Sequence, residues 1–300
     1  MLVAVTGSSG LIGSALTQAL EKRGHGVVRM VRRPAVGTGE ARWDPAGGLA
    51  EPARLENLDA IVHLAGVGIA DRRWTARRKA AIYDSRVSGT RHLISALAQL
   101  DRPPARFLGA SAIGAYGSRG AERLEEASQT GEGFLADLCL AWERETAAAS
   151  AFTERFYSLR TGIVLSSRGG ALGKMLTPFK LGLGGILGSG EQYMSWISID
   201  DQVGAILHLL EAELDRSLES GPVNLTAPTP VTNREFTRAL GRALGRPTIL
   251  PLPTFAIRLL FGEMGEEALL GSQFVLPRRL QASGFRFAHT DIDRALDHLL

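Results

Sequence analysis

Hydrophobic residues in this chain fall in short blocks that alternate with longer amphipathic runs. Val3-Ala4-Val5 opens an apolar strand that stops at Thr6-Gly7, and an amphipathic helix follows from Leu11 to about Arg23. A second strand lies within residues 25–33, carried by Val27, Val28, Met30 and Val31. Residues 34–56 hold Pro, Gly and Asp with no clear period, which predicts mostly loop. The pattern then predicts a third strand over 59–66, a helix over 76–100 stopped by Pro103 and Pro104, and a fourth strand over 105–111. A helix over 134–151 and a fifth strand over 155–164 follow. Apolar strands alternating with helices predict a parallel sheet covered on both faces. Ligands of such sheets bind beyond the carboxyl ends of the strands, here the loops after residues 6, 32, 64, 111 and 161.

The second half has a different texture. Residues 166–190 are Gly-rich and flexible in composition. Within them Gly169-Gly170-Ala171-Leu172-Gly173-Lys174 approaches a phosphate loop, but the spacing is one short and Met175 stands where Ser or Thr would hold magnesium. A strand is expected over 193–199, a helix over 201–213 that Asp201 or its neighbour caps, and a strand over 222–226. Thr232 or Asn233 caps a helix to about Leu244, and a last helix spans 291–300. The expected fold class is α/β: a Rossmann-type doubly wound parallel sheet with a smaller C-terminal α/β lobe. Residues 1–165 with 197–226 would form the dinucleotide-binding part, and 166–196 with 227–300 the substrate lobe.

Between the first strand and helix stand Gly7, Gly10 and Gly13, three residues apart. Gly7 allows a sharp turn, Gly10 leaves a pyrophosphate free approach to the helix N-terminus, and Gly13 lets the helix pack closely. The first free N–H groups and the helix dipole would face the phosphates. The spacing is G-x-x-G-x-x-G rather than G-x-G-x-x-G, so the flanking strand and helix carry much of the signal. The second strand ends Val31-Arg32-Arg33 with no acid before Glu40. An acid there would grip a ribose hydroxyl, whereas an Arg fork suits a 2′-phosphate, so NADP(H) is favoured over NAD(H).

Composition narrows the field. A hydrophobic content of 45% and a charged content of 22% are ordinary for a globular chain. The net charge of +3 is small, and its densest cluster, Arg72 to Arg91, has only Trp74 and Tyr83 for stacking, so no nucleic-acid partner is expected. A single cysteine, Cys139, excludes an intramolecular disulfide. With no signal peptide or membrane span read in the sequence, a cytoplasmic protein is expected. The partner is a small-molecule substrate, and a homodimer stays open.

Several segments resemble extended short-chain dehydrogenase/reductases of the epimerase/dehydratase superfamily: Thr6-Gly7-x-x-Gly10-x-x-Gly13 and Asp59-x-x-x-His63-Leu64-Ala65-Gly66. Others resemble its sugar-nucleotide-epimerase-like branch, among them Asp84-Ser85-Arg86, Ser111-Ala112-Ile113-Gly114-Ala115-Tyr116-Gly117, Arg160-Thr161-Gly162-Ile163-Val164-Leu165 and Trp196-Ile197-Ser198-Ile199-Asp200-Asp201. That branch ends in a small domain of unassigned function, which about 250–295 resembles. The resemblance implies an NADP(H) site built from Gly7, Ser9, Gly10, Leu11, Ile12, Val31, Arg32, Leu64, Ala65, Gly66 and Val164. Arg86 stands where the wider superfamily has an Asn and looks like a further cofactor contact.

The superfamily's acid/base Tyr and its partner Lys, four residues later, align with Leu135 and Cys139. Neither does that chemistry, and there is no other Tyr-x-x-x-Lys in the chain. Ser111 and Tyr116 are then the candidate proton donors. The six histidines show no metal-ligand spacing, so no metal is expected; His63 reads as a core residue and Cys139 as a small buried hydrophobe. Two functions follow: an epimerase/dehydratase-family oxidoreductase of unknown substrate, or a catalytically silent NADP(H)-binding module that senses redox state or scaffolds a partner.

Overall fold

The computed structural model describes residues 1–49, 51–212 and 218–300. Strand β1 (Leu2–Thr6) leads into helix α1 (Leu11–Lys22) and back to β2 (Gly26–Val31). Next come β3 (Glu40–Asp44), β4 (Gly48–Leu49), β5 (Ala60–His63), α2 (Ala76–Leu97), β6 (Arg106–Ala112) and β7 (Arg123–Leu124). Helix α3 (Phe134–Ala147), β8 (Arg155–Thr161) and β9 (Ile163–Leu165) complete the first half. The main sheet has the order β12-β8-β6-β5-β1-β2-β3-β4, with β12 (Gly221–Leu225) supplied by the second half. All its pairings are parallel except β3 with β4. The strand order reverses direction between β1 and β5, and the crevice at such a switch point is where doubly wound sheets bind ligands.

The two-residue period of β1 divides the core. Val3 and Val5 face one layer with Leu16 and Leu20 of α1 and with Ile206 and Leu210. Ala4 faces the other, with Ile61, Phe107 and Leu93 and Leu97 of α2. Each such fully buried Leu contributes roughly 1.5–3 kcal/mol relative to exposure.

The second half adds α4 (Gly170–Lys180), β10 (Tyr193–Met194), β11 (Trp196–Ser198) and α5 (Ile199–Glu211). After β12 come β13 (Val231–Thr232), α6 (Asn233–Leu244), α7 (Thr254–Phe261), β14 (Phe274–Val275), α8 (Arg278–Ala282) and α9 (Ile292–Leu299). Helices α4, α6 and α9 enclose a separate apolar cluster with Trp196, Phe236, Leu240 and Leu296 buried in it. Thr232 caps α6 in a full capping box with Glu235. Among the described residues no helix is long and apolar enough to cross a membrane.

Four expectations need correction. Residues 34–56 contain a strand of the main sheet that the missing period hides: β3 joins the sheet parallel to β2, with Val31 opposite Arg42. Only Ala41 and Trp43 of β3 are buried, so three polar residues out of five hide the strand. Its crossover is residues 32–39 alone, shorter than the dozen or so residues usual between parallel strands. The Gly-rich stretch contains α4, whose Leu172, Leu176 and Phe179 recur on one buried face. The expected strand over 155–164 breaks at Gly162, where a side chain would meet the Ser195 carbonyl; β8 pairs with β12, and β9 with β11. Lastly, Ser198 and not Asp201 caps α5, accepting the Asp201 N–H.

Candidate functional site

The turn after β1 is packed on two sides by backbone. Gly7 has φ +65°, and a Cβ there would stand 2.9 Å from the carbonyl carbon of Leu64. A Cβ on Gly13 would overlap the Gly7 carbonyl, so α1 approaches the turn as closely as a bare backbone permits. Gly10 is the N-cap of α1, with no side-chain cap and no acid in the first turn. The N–H groups at that end keep their positive partial charge for an anion.

The end of β5 is locked to the turn by a buried polar chain. Thr6 Oγ1 accepts from Leu64 N–H at 3.0 Å and Ala65 N–H at 3.1 Å, so its own proton goes to His63 Nδ1 at 2.8 Å. His63 therefore carries its proton on Nε2 and donates it to Thr90 Oγ1 at 3.1 Å, which also accepts from Trp142 Nε1 at 2.9 Å. Burial pushes the His63 pKa down to about 3, so the ring is neutral. His63 is the core residue the sequence suggests, and it joins β1, β5, α2 and α3 beneath the crevice.

Most of the residues expected at the cofactor gather here. Leu64, Ala65 and Gly66 continue from β5 past Gly7, and Thr6 lies opposite Met30 in the sheet, which brings Val31 and Arg32 to the next strand end. Leu11, Ile12 and Val164 pack against the same apolar cluster, and a Cβ on Gly170 at the start of α4 would stand 3.0 Å from Leu11 Cδ2. Ser9 is exposed on the turn. Arg33 is engaged by both Glu40 oxygens, at 2.7 and 2.5 Å, and that carboxylate also accepts Val36 N–H. Among the described residues no carboxylate pairs with Arg32.

Arg86 lies on α2 directly behind Gly66: a Cβ at Gly66 would be 3.2 Å from its Cζ. Its Nη1 donates to Val67 and Ile82 carbonyls at 2.9 and 3.3 Å, and its guanidinium lies 5.2 Å from the Trp142 ring centre. Burial pulls its pKa down to about 10, and among the described residues no carboxylate offsets it. It is a desolvated cation facing the strand ends, not a solvated helix charge.

The two positions of α3 that the sequence resemblance sets against the superfamily's Tyr and Lys are Leu135 and Cys139. Gly114, in the turn after β6, packs on Leu135 and Cys139: a Cβ there would be 3.1 Å from Leu135 Cβ. The Cys139 thiol is buried, and burial first, then the neighbouring Glu143, push its pKa up to about 11. One turn further, Glu143 accepts from Ser111 Oγ at 2.6 Å and from Arg160 Nε and Nη2, both at 2.8 Å. Arg160 stacks 4.8 Å from the Tyr116 ring centre. Burial opposes the Arg160 charge, but the bond and charge of Glu143 outweigh it and raise its pKa. Tyr116 itself is fully buried, donates its hydroxyl to Asn224 at 2.8 Å, and is made a weaker acid by that burial. Its proton is committed to the interior. Ser111 lies at the carboxyl end of β6 with its proton on Glu143.

Two features escaped the sequence. Glu267, from the C-terminal part, accepts Phe134 N–H at 3.1 Å and Leu135 N–H at 2.9 Å, capping α3 from outside because its own N-cap, Gly133, has no side chain to do so. Glu267→Ala should therefore lower stability by about 0.5–2 kcal/mol, the usual value of an N-terminal cap. Urea unfolding of the two proteins measures it, and an unchanged midpoint would show that the cap adds nothing. The second feature overturns the expected scatter of histidines: Asp200, His289 and His298 converge within 4.8 Å.

A glycine turn at the switch point of a doubly wound parallel sheet, followed by a helix with an uncapped N-terminus, is the arrangement of the Rossmann class of nucleotide-binding folds. Residues 3–224 match the model of the NAD dependent epimerase/dehydratase family, and 252–299 match a domain of unknown function, DUF1731. The chain thus belongs to the NAD dependent epimerase/dehydratase family. It is 47% identical over 297 residues to the epimerase family protein Mb2239 of Mycobacterium bovis, covering 99% of this chain and 97% of the relative. It is 36% identical to the human epimerase family protein SDR39U1 over 303 residues, all of both chains. The crystal structure of that human protein (isoform 2) with NADPH superposes with a TM-score of 0.88 and 36% identity, over 100% of this chain and 99% of the other.

Proposed function

We propose that this protein binds NADP(H) in the β1/β5 crevice and acts as an oxidoreductase-type member of its family on a small molecule, without a Tyr-x-x-x-Lys pair. The observation that carries the reading is the unequal fate of two adjacent arginines. Glu40 takes Arg33, while Arg32 is exposed at the end of β2 with no carboxylate partner among the described residues. That suits a 2′-phosphate. The bound human relative supports the same cofactor. The α1 N-terminus, with Ser9, Gly10, Leu11 and Ile12, would hold the pyrophosphate, and Leu64, Ala65, Gly66 and Val164 would line the crevice.

When bound, the nicotinamide supplies the hydride chemistry. Arg86 provides a desolvated positive charge beside Gly66 and near the Cys139 thiol, on α2 rather than on α3 where the superfamily Lys would stand. Ser111, backed by Glu143, is the candidate to move a proton at its Oγ. Residues 1–165 with 197–226 would serve the cofactor and 166–196 with 227–300 the substrate. A lone buried thiol supports a reducing compartment, the cytoplasm.

Arg32→Ala should weaken NADPH binding about ten- to a hundredfold, as an Arg–phosphate pair contributes roughly 1.5–3 kcal/mol. NADH binding should barely change. Fluorescence titration of both cofactors tests this, and equal losses for both would refute the assignment of Arg32. The packing of Leu135 and Cys139 against Gly114 favours the second reading, a catalytically silent module. Incubation with NADPH and a panel of ketones, aldehydes and nucleotide sugars separates the two: turnover abolished by Ser111→Ala supports the enzyme.

A further inference from the structure

Asp200 lies in the first turn of α5, His289 precedes α9, and His298 lies in the last turn of α9. One nitrogen from each ring and one carboxylate oxygen fall within 4.8 Å of one another. His298 Nε2 is 2.8 Å from Asp200 Oδ2, and the imidazole ring centres are 4.6 Å apart. We propose that these three side chains, none of them among the residues assigned to the cofactor, bind a divalent transition-metal ion, with Zn²⁺ the best match.

The support behind His289 is what distinguishes this cluster from a surface ion pair. Asp201 is buried and accepts the N–H groups of Ala288 at 2.7 Å and His289 at 2.9 Å, which fixes the segment carrying the ring. The Ser198 hydroxyl donates to Asp201 Oδ2 at 3.1 Å, so it has no proton left for His289 Nδ1, 3.1 Å away. Nδ1 must then be the donor, and Nε2 keeps its lone pair. An imidazole whose second nitrogen donates into a carboxylate-anchored network is the usual support of a metal ligand.

The donor set also selects the ion. Two imidazoles and one carboxylate, without thiolate, suit Zn²⁺ or its first-row neighbours, whereas Mg²⁺ and Ca²⁺ prefer oxygen alone. Ligands of tetrahedral zinc stand roughly 3.3 Å apart. Asp200 and His298, with side chains 53% and 56% exposed, can close that gap by rotation and leave water access to the remaining position. The ion would tie α9 to the start of α5.

The test uses the full chain without an affinity tag, stripped with EDTA and titrated with ZnCl₂ by calorimetry, with thermal unfolding in parallel. One Zn²⁺ per chain and a rise in Tm that EDTA reverses are expected, with no rise from Mg²⁺. His298→Ala and Asp200→Asn, both at exposed positions, should each weaken binding at least about tenfold, the low end for losing even a supporting group. Circular dichroism should show both variants folded. No Zn²⁺ uptake by the unaltered chain, or affinity unchanged in both folded variants, would overturn the proposal.

Discussion

Glu143→Ala should lower the unfolding free energy by about 3–5 kcal/mol, the range for removing one partner of a buried ion pair. The Glu143 and Arg160 side chains are only 13% and 5% exposed. Arg160 makes two bonds to that carboxylate, and its Nη1 is already buried without a hydrogen-bond partner among the described residues. Removing the carboxylate strands the guanidinium against the Tyr116 ring and frees the Ser111 proton. Both side chains are largely shielded from solvent, so the desolvated charge stays uncompensated. Urea unfolding followed by circular dichroism measures the loss. The double variant Glu143→Ala with Arg160→Met should recover much of it, because an apolar side chain replaces the orphaned charge. A loss under about 1 kcal/mol in the single variant would mean that the pair is screened as a surface pair is.

Acid should destabilise the protein below about pH 6.5, with His63 as a main contributor. Its pKa is about 3 when folded, against about 6.5 in an open chain. A histidine with a depressed folded value stays neutral in the folded protein while the unfolded chain takes up the proton. Its contribution is therefore full above pH 6.5 and is lost as pH falls towards 3. One proton over that span amounts to about 4–5 kcal/mol. His208, lowered mainly by burial, adds a smaller part with the same sign. Stability measured from pH 7 to 4.5, above most carboxylate titration, should fall more steeply for the natural protein than for His63→Gln. Parallel slopes would show that His63 contributes nothing to the acid loss.

Both effects sit in contacts that link residues far apart in the chain, and this decides what was legible. The strand–turn–helix of residues 2–22 could be read because its signals are local: three glycines, an apolar strand and a helical stripe. The end of β5 could be read for the same reason. Strand β3 could not, because Glu40, Arg42 and Asp44 face outward and mask the two buried positions. Helix α4 was hidden by its glycines, although its apolar face packs into the second cluster.

The sequence by itself determined the alternating architecture and the glycine turn after the first strand, and it holds Leu135 and Cys139 where the family resemblance would set a Tyr and a Lys. Each of these depends on neighbouring residues and on the period of burial, which any local stretch of chain records. Only the tertiary structure decided that Glu40 takes Arg33 and leaves Arg32 open, that Tyr116 is sealed in the interior, and that Glu267 reaches α3. It alone brought His289 and His298 to Asp200. Such pairings depend on how distant segments meet, and a hydrogen bond or ion pair leaves no period in the sequence to show its partner.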